Sequence, residues 1–112
     1  MAAQAGISRL SRYASIMRGG WTYIMASKPR GMLYIGVTAH LAARVDQHRR
    51  DVGSAFCRRY GIRTLVLAEP HAQIDEAIAR EKALKAWKRD WKIALIERTN
   101  PDWRDLFDRI VE

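Results

Sequence analysis

Five residues of the chain have side chains that could act together on a phosphate group. Tyr23 and Tyr34 lie in two apolar runs, "WTYIMA" and "MLYIGVT", and Arg44 and His48 follow one helical turn apart. A guanidinium and an imidazole on neighbouring turns can converge on one phosphate. With Glu81, the set contains two phenols, a guanidinium, an imidazole and a carboxylate. That combination is suited to cleaving a phosphodiester bond.

Each of these residues also has an ordinary structural explanation. Either tyrosine can pack a sheet, Arg44 can be a surface cation, and His48 can be a half-buried filler. Glu81 is harder to explain, because it falls inside the apolar arc of its helical tract. An unpaired buried carboxylate is costly, so it needs a cation, a metal or several donors, and a structural salt bridge is the alternative. The apolar arc consists of Ile74, Ala77, Ile78, Leu84 and Trp91.

The first elements that must position these residues follow from the apolar pattern. Residues 21–26 and 32–37 are predicted to form a hairpin, joined by the Gly-containing turn 27–31. Tyr23 and Tyr34 then fall near each other across the ladder. The tract "AHLAARVDQHRR" is predicted to form a helix, and its apolar spacing runs through Leu41, Val45 and His48.

The rest of the chain alternates less clearly between strand and helix. A third strand is predicted over residues 62–68, between Gly61 and Pro70. A long helix follows from about Gln73 and breaks near Trp87. Two short helices complete the chain, in "DWKIALIERTN" and "PDWRDLFDRIVE", with Pro101 at the start of the second. The predicted order of the elements is ββαβααα, in one domain over residues 21–112. Residues 1–20 are predicted to be a flexible basic extension, with a basic arm that touches phosphate as the functional alternative.

The charge of the chain indicates a polyanionic partner. Twenty Lys and Arg against twelve Asp and Glu give a formal net charge of +8 over 112 residues. Nucleic acid is the expected partner, because neutralising phosphates supplies most of the affinity that does not depend on base sequence. A membrane fits poorly, since no apolar run reaches the ~18 residues that span a bilayer. The single cysteine, Cys57, is typical of a reducing, cytoplasmic setting.

These residues and their spacing resemble a known family. "WTYIMAS", the ten residues between Tyr23 and Tyr34, "LYIGVT", Arg44 and "AIAREKALKAWKRDWKIALIE" are together similar to the GIY-YIG nuclease domain, especially its small stand-alone bacterial branch. The resemblance covers about Trp21 to Asp105. It implies a compact α+β domain with a three-stranded central sheet flanked by helices. It also implies a divalent metal, Mg²⁺ or Mn²⁺, and hydrolysis of DNA phosphodiester bonds.

The resemblance also implies a role for each residue of the set. Tyr34 matches the tyrosine proposed as general base, and Tyr23 the one that orients the attacking water or the phosphate. Arg44 matches the phosphate-binding arginine, Glu81 the carboxylate metal ligand, and His48 a polar active-site partner. An unperturbed tyrosine hydroxyl titrates near pH ~10, so a base role needs help from nearby cations. Arg44 and the metal are the candidates for that help.

The sequence departs from the family pattern in three places. The first signature reads Trp-Thr-Tyr and keeps only its tyrosine, Tyr23. After the second signature, Ala39, His40 and Ala42 stand where the branch usually has Asn, Asp and Glu, so helix capping or substrate contacts are expected to differ. Asn100, in "TNPDW", matches either a late active-site asparagine of the family or an ordinary helix cap.

Further basic and aromatic residues are candidates for nucleic-acid contacts. Tyr60 either takes part in such contacts or packs before the third strand. Gly36 is expected to let substrate approach the end of its strand. The tryptophans near the C-terminus either form a protein-interaction surface or, as the helical pattern favours, pack the core. The arginines expected at the nucleic-acid surface are Arg49, Arg50, Arg58 and Arg59, and the tryptophans are Trp87, Trp91 and Trp103.

Two functions of different classes fit the sequence. The first is a metal-dependent endonuclease acting on DNA, selective for branched, nicked or single-stranded structures rather than for a base sequence. The second is a non-catalytic DNA- or RNA-binding module that retains the nuclease fold, and its charge would be the same. The intact set of Tyr23, Tyr34, Arg44 and Glu81 favours the enzyme, since a pure binder does not need it. The oligomeric state is left open.

Overall fold

A computed structural model describes residues 19–110 of the chain. Most of the extension predicted over residues 1–20 lies outside the described residues, and the first strand begins at Gly20, one residue earlier than predicted. None of the described helices is long and apolar enough to cross a membrane. The described elements are β1 (Gly20–Ala26), β2 (Leu33–Thr38), α1 (Leu41–Arg49), α2 (Ala55–Tyr60), β3 (Thr64–His71), α3 (Ile74–Ala86), α4 (Arg89–Thr99) and α5 (Phe107–Ile110).

An antiparallel three-stranded sheet forms the centre of the fold, with strand order β2-β1-β3. Every residue of β1 is buried, as expected for a central strand covered on both faces. Its alternate residues serve two cores. Trp21, Tyr23 and Met25 pack with α1, α2 and α5, whereas Ile24 and Ala26 pack with α3 and α4. The predicted α+β class with helices flanking a three-stranded sheet is confirmed.

Helix α2 was not predicted, so the order of the described elements is ββααβααα and not ββαβααα. The Oγ of Ser54 accepts a hydrogen bond from the backbone N of Cys57 at 3.3 Å and caps the helix start. Gly61 ends the helix in the left-handed conformation, with φ of 65°. The helix has six residues, too few for a recognisable helical period, so its two caps are its only clear sequence signals.

Two predicted boundaries were also wrong. Strand β3 runs from Thr64 to His71 and includes Pro70, which was expected to end it. An edge strand tolerates proline wherever the missing N–H would point away from the sheet. The last predicted helix does not start at Pro101, because residues 101 and 102 form a turn and residues 103–106 are irregular before α5. Leu106 donates its backbone N–H to the carbonyl of Leu65 at 2.8 Å, so this segment covers part of the outer edge of β3.

The apolar arc expected along α3 and α4 is only partly buried. Ala77 and Leu84 are buried, but Ile74 and Ile78 are more than a third exposed and Trp91 is 56% exposed. The hydroxyl of Thr22 donates to the carbonyl of Ala77 at 2.8 Å, which brings α3 close to the sheet along a narrow stripe. Residues 87 and 88 are extended between the two helices, so the buried face of α3 does not continue along α4 at the same helical spacing. The expectation that Trp91 packs the core was therefore wrong.

The pairing of β1 with β2 depends on a close approach between Tyr23 and Gly36. The two residues face each other in the ladder. A Cβ atom at Gly36 would lie 2.5 Å from both Cζ and the hydroxyl oxygen of Tyr23. The tyrosine ring thus fills the space that a side chain at residue 36 would occupy. Gly36 was expected to let substrate approach, but in the structure it makes room for the Tyr23 ring.

The free energy of unfolding of a Gly36→Ala variant should be about 1–3 kcal/mol lower than that of the wild type, because the new methyl group strikes the Tyr23 ring. Equilibrium urea unfolding measures this. In a Tyr23→Ala background the same glycine substitution should cost far less, since the ring it strikes is gone. An equal cost in both backgrounds would show that the ring is not the obstacle.

A polar clamp ties the tip of the hairpin to α4. Arg30, at a φ of 57° in the β1–β2 turn, donates to both carboxylate oxygens of Glu97 at 2.9 Å. The indole nitrogen of Trp103 donates to the same carboxylate at 2.7 Å. Arg89 adds a hydrogen bond to the carbonyl of Gly31 at 2.8 Å. The hydrogen bonds from Arg30 and then Trp103 lower the pKa of Glu97 to about 2.

The Glu97 clamp predicts a loss of stability in acid. Since the folded-state pKa lies below the unfolded one, the stabilisation is complete above the ordinary pKa of about 4.3 and is lost as the pH falls towards 2. Urea midpoints of Glu97→Gln should therefore vary less with pH than those of the wild type over that window. Asp102→Asn removes an exposed carboxylate 3.8 Å from Arg104 and should keep the wild-type slope. Parallel pH profiles for wild type and Glu97→Gln would contradict the clamp.

Candidate active site

The centre of the site is a buried hydrogen bond between Tyr23 and His48. Tyr23 lies in the middle of β1, and His48 lies in the last turn of α1. Their side chains are 2.9 Å apart, between the hydroxyl oxygen and Nε2, and both are essentially inaccessible to solvent. Leu41 and Val45 bury the same face of α1 and hold the histidine against the sheet. The predicted inner face of this helix is confirmed.

Tyr34 completes an aromatic cluster with these two residues. Its ring meets the edge of the His48 ring at 5.2 Å between centroids, and the Tyr23 ring at 6.4 Å. Tyr34 pairs with Met25, two residues along from the Tyr23–Gly36 pair, so the two tyrosines are diagonal neighbours across the ladder. Its side chain is partly exposed, and no hydrogen bond to its hydroxyl is found within residues 19–110. That hydroxyl is available to a substrate.

Arg44 provides the positive charge of the cluster. It lies one turn before His48 on α1, and its charge acts on both Tyr23 and His48. Burial, reinforced by Tyr34, raises the pKa of Tyr23 despite Arg44, so Tyr23 stays protonated. Burial and the Arg44 charge both lower the pKa of His48, so its imidazole is neutral near pH 7. The cluster thus pairs a hydroxyl donor with a neutral imidazole acceptor.

The direction of the hydrogen bond follows from the acceptors within reach of Tyr23. Within residues 19–110 its hydroxyl meets one acceptor, Nε2 of His48, so we assign the O–H as the donor and place the imidazole proton on Nδ1. The other ring nitrogen of His48, Nδ1, is buried and has no hydrogen-bond partner in the described part of the chain. A Cβ at Gly53 would lie 3.1 Å from it. An orphaned buried polar atom costs about 1–3 kcal/mol, a cost more typical of a functional centre than of a packing core.

Glu81 is on α3, which packs against the opposite face of the sheet from α1, and its side chain is 16% exposed. Its contact is an ion pair with Lys85, one turn along the helix, at 3.1 Å. No group of three or more His, Cys, Asp or Glu that could hold a metal exists among the described residues. A single partly buried carboxylate still fits Mg²⁺, which keeps most of its coordination for water and phosphate oxygens.

Two of the arginines expected to contact nucleic acid are engaged within the protein. Arg49 forms an ion pair with Asp105, and its guanidinium lies 4.5 Å from the centre of the Phe107 ring. Arg50 forms an ion pair with Asp46, one turn earlier on α1, at 2.9 Å. Arg49 therefore ties the C-terminal segment to α1.

The other two arginines expected at this surface lie on α2 and are exposed. Arg59 lies over the ring of Tyr60 at 5.4 Å, and Arg58 is next to it. Tyr60 is 41% exposed and packs against Phe56, with 4.9 Å between ring centroids. The alternative in which Tyr60 packs in the core does not hold. Phe56 was not recognised from the sequence, because α2 itself was missed.

Asn100 is a structural residue in this fold. It is buried at the end of α4, and its side-chain nitrogen donates to the carbonyls of Val66 and Arg104, at 3.2 and 2.9 Å. Its side-chain oxygen accepts from the backbone N of Arg104 at 3.0 Å. These bonds join α4 to β3, which supports the capping alternative over the active-site one.

The start of α1 differs from the usual capping arrangement, as the residues after β2 predicted. No side chain caps α1 at His40, and the hydroxyl of Thr38 accepts a hydrogen bond from the His40 backbone N–H instead.

Comparison with known proteins finds a matching family and several bacterial relatives. The family described as the GIY-YIG catalytic domain matches residues 19–94, which contain β1 to α3 and every residue of the cluster. A UPF0213 protein of Sodalis glossinidius is 32% identical over 84 residues, covering 72% of this chain and 78% of the relative. UPF0213 proteins of Cronobacter sakazakii and Staphylococcus haemolyticus are 32% and 30% identical, covering 68% and 69% of this chain and 80% and 93% of their own.

No solved structure matches the chain significantly. The relatives are bacterial proteins whose names state no activity. The family match nevertheless spans more than half of the chain and includes both tyrosine signatures. The chain therefore belongs to the GIY-YIG family of nucleases, as the two tyrosines and their spacing predicted.

Proposed function

We propose that the protein is a metal-dependent endonuclease that hydrolyses phosphodiester bonds in DNA. The observation that carries the proposal is the buried Tyr23–His48 hydrogen bond with Arg44 acting on both partners and the Tyr34 ring at its edge. A packing core gains nothing from a guanidinium, two phenols and an imidazole with one unpaired nitrogen. Those groups are useful where a phosphate is bound and a proton is moved.

The exposure of the two tyrosines supports different roles for them. Tyr34, with a partly exposed side chain, removes a proton from the attacking water, either as the phenolate or by passing its own proton to solvent water. The water oxygen forms the new bond to phosphorus, and the bond from phosphorus to the departing strand end breaks. Tyr23, kept protonated by burial, hydrogen bonds to His48 and cannot be the base at neutral pH. Arg44 binds the phosphate and offsets its developing negative charge.

Glu81 is the proposed ligand of Mg²⁺ or Mn²⁺. When bound, such an ion polarises a phosphate oxygen and offsets charge on the leaving oxygen. Glu81 is partly buried while its partner Lys85 is 57% exposed, so the lysine can swing into solvent when a cation takes its place. The carboxylate is thereby held for an incoming metal without being locked in a core ion pair.

The proposed substrate is DNA recognised by its shape. Phosphate contacts from Lys and Arg position a nucleic acid but carry no information on base sequence. Branched, nicked or single-stranded DNA is therefore proposed over a long defined sequence, and RNA belongs in the same panel of substrates.

Three substitutions test the roles. Tyr34→Phe should slow cleavage of a DNA panel in Mg²⁺ by about 100- to 10,000-fold, the usual contribution of a positioned general base. Arg44→Ala should weaken both binding and cleavage, because the phosphate loses its guanidinium. Glu81→Gln should bind DNA in the absence of metal as the wild type does, but should not be activated by Mg²⁺ or Mn²⁺. Cleavage is followed on end-labelled oligonucleotides.

Matched controls separate these effects from loss of fold or net charge. Arg104→Gln removes one positive charge at an exposed position and should cleave like the wild type, as should Asp102→Asn for the carboxylate. Circular dichroism must show all variants folded. Full cleavage by the three test variants would refute the assigned roles. Salt-sensitive binding without cleavage by the wild type, with any metal or substrate, would favour the non-catalytic module.

The neutral state of His48 predicts how activity depends on pH. Its pKa is lowered, so the imidazole accepts the Tyr23 hydrogen bond at pH 7 and becomes protonated only below its ordinary pKa of about 6.5. The value of kcat/KM should therefore fall as the pH drops below that point. His48→Gln keeps an acceptor that does not titrate, so it should retain part of the activity and lose this acid limb. An acid limb of the same shape in wild type and His48→Gln would assign it to another group.

A further inference from the structure

The corner between α3 and α4 exposes a tryptophan that the proposed active site does not use. We call Trp87, Lys88, Trp91 and Lys92 the tryptophan corner. Trp91 is 56% exposed, whereas Trp21 is 3% exposed. Single exposed apolar residues are common on protein surfaces. The tryptophan corner differs because cations are arranged around its rings.

The rings and cations of the tryptophan corner are held in place by one another. The Trp87 and Trp91 rings are nearly perpendicular, at 83°, with 6.1 Å between centroids. The ammonium of Lys88 lies 5.8 Å from the centre of the Trp91 ring, and the guanidinium of Arg80 lies 5.1 Å from that of Trp87. Lys92 reaches back to the carbonyl of Lys85 at 3.4 Å. Trp91 is thus braced while more than half of its surface stays open.

The charges around the tryptophan corner favour a polyanion. Residues 81–92 contain five basic residues and two acidic ones, and one of the two acids, Glu81, is already paired with Lys85. A protein partner fits less well, because the ammonium of Lys88 lies against the Trp91 ring and charged residues are depleted at the centres of protein interfaces. A nucleic-acid strand offers the matching chemistry, since every base has a stacking face and every linkage has a charge.

We propose that the tryptophan corner binds a nucleic-acid strand, with an unpaired base stacked on Trp91 and the adjoining phosphates contacted by Lys88 and Lys92. The inference rests on the proposed function only in taking nucleic acid as the substrate. Helix α3 carries Glu81 and leads directly into the tryptophan corner, ten residues before Trp91. We expect a nucleic-acid strand bound at the tryptophan corner to continue from there towards Glu81, the proposed metal ligand.

The test is equilibrium binding of a fluorescein-labelled oligothymidine by the full-length protein in EDTA, followed by anisotropy. Trp91→Ala should weaken binding by about tenfold, as expected from the loss of one stacked base, and Trp91→Phe should restore most of the affinity. Lys88→Gln should make the slope of log affinity against log salt shallower by about 0.7. Ile78→Ala removes an exposed apolar side chain from α3 and should bind like the wild type.

The controls separate this inference from the proposed nuclease activity. Wild-type affinity in Trp91→Ala would overturn the stacking site while leaving cleavage by the wild type untouched, and failure of the wild type to bind the oligonucleotide would overturn it too. Dissociation of a wild-type dimer by Trp91→Ala in sedimentation, with binding unchanged, would show that the corner is a self-association surface instead. A wild type that binds through Trp91 yet cleaves no substrate would support this inference and refute the nuclease proposal.

Discussion

The close contact between the Tyr23 ring and Gly36 is the constraint on which the centre of this molecule depends. It admits one pairing of β1 with β2, because a shift by one residue would bring a side chain against the ring. The ring then lies between the sheet and α1, with its hydroxyl 2.9 Å from Nε2 of His48. The register of β1 and β2, the position of α1 and the buried hydrogen bond therefore all depend on where the Tyr23 ring lies. The glycine of the second signature matters for packing before it matters for any substrate.

Burial gives the two tyrosines different chemistry although both belong to adjacent strands of one ladder. Tyr23 is enclosed and keeps its proton, while Tyr34, two residues along the ladder from Gly36, keeps a partly exposed edge. Arg44 acts on the enclosed tyrosine and on His48, so its charge also keeps the imidazole neutral. Burial is thus the larger cause for both groups, and the charge of Arg44 opposes it at Tyr23 and reinforces it at His48.

The parts of the site that could be predicted from the sequence are those that depend on local spacing. The hairpin brings Tyr23 and Tyr34 together through the period of two in strands, and α1 brings Arg44 and His48 together through its turn of 3.6 residues. The features that could not be predicted lie where no regular spacing of apolar residues continues. Helix α2 is too short to show one, and Trp91 was assigned to the core because the helical phase was carried across the break at residues 87 and 88. Whether Pro70 is tolerated depends on its strand lying at the sheet edge, which only the tertiary fold decides.

The formal charge of +8 is carried by fewer than the twenty basic side chains, because several arginines are already paired with acids. Arg49, Arg50 and Arg63 are held by Asp105, Asp46 and Asp51, and Arg80 is held by Glu69. Such pairs bring little stability at the surface and add nothing to the net charge that a polyanion meets. The basic residues that remain exposed beside aromatic rings lie on α2, beside Tyr60, and between α3 and α4, beside Trp91. Within residues 19–110, these paired arginines therefore fix loops and helices of the protein itself, and the attraction of nucleic acid depends on the other basic side chains.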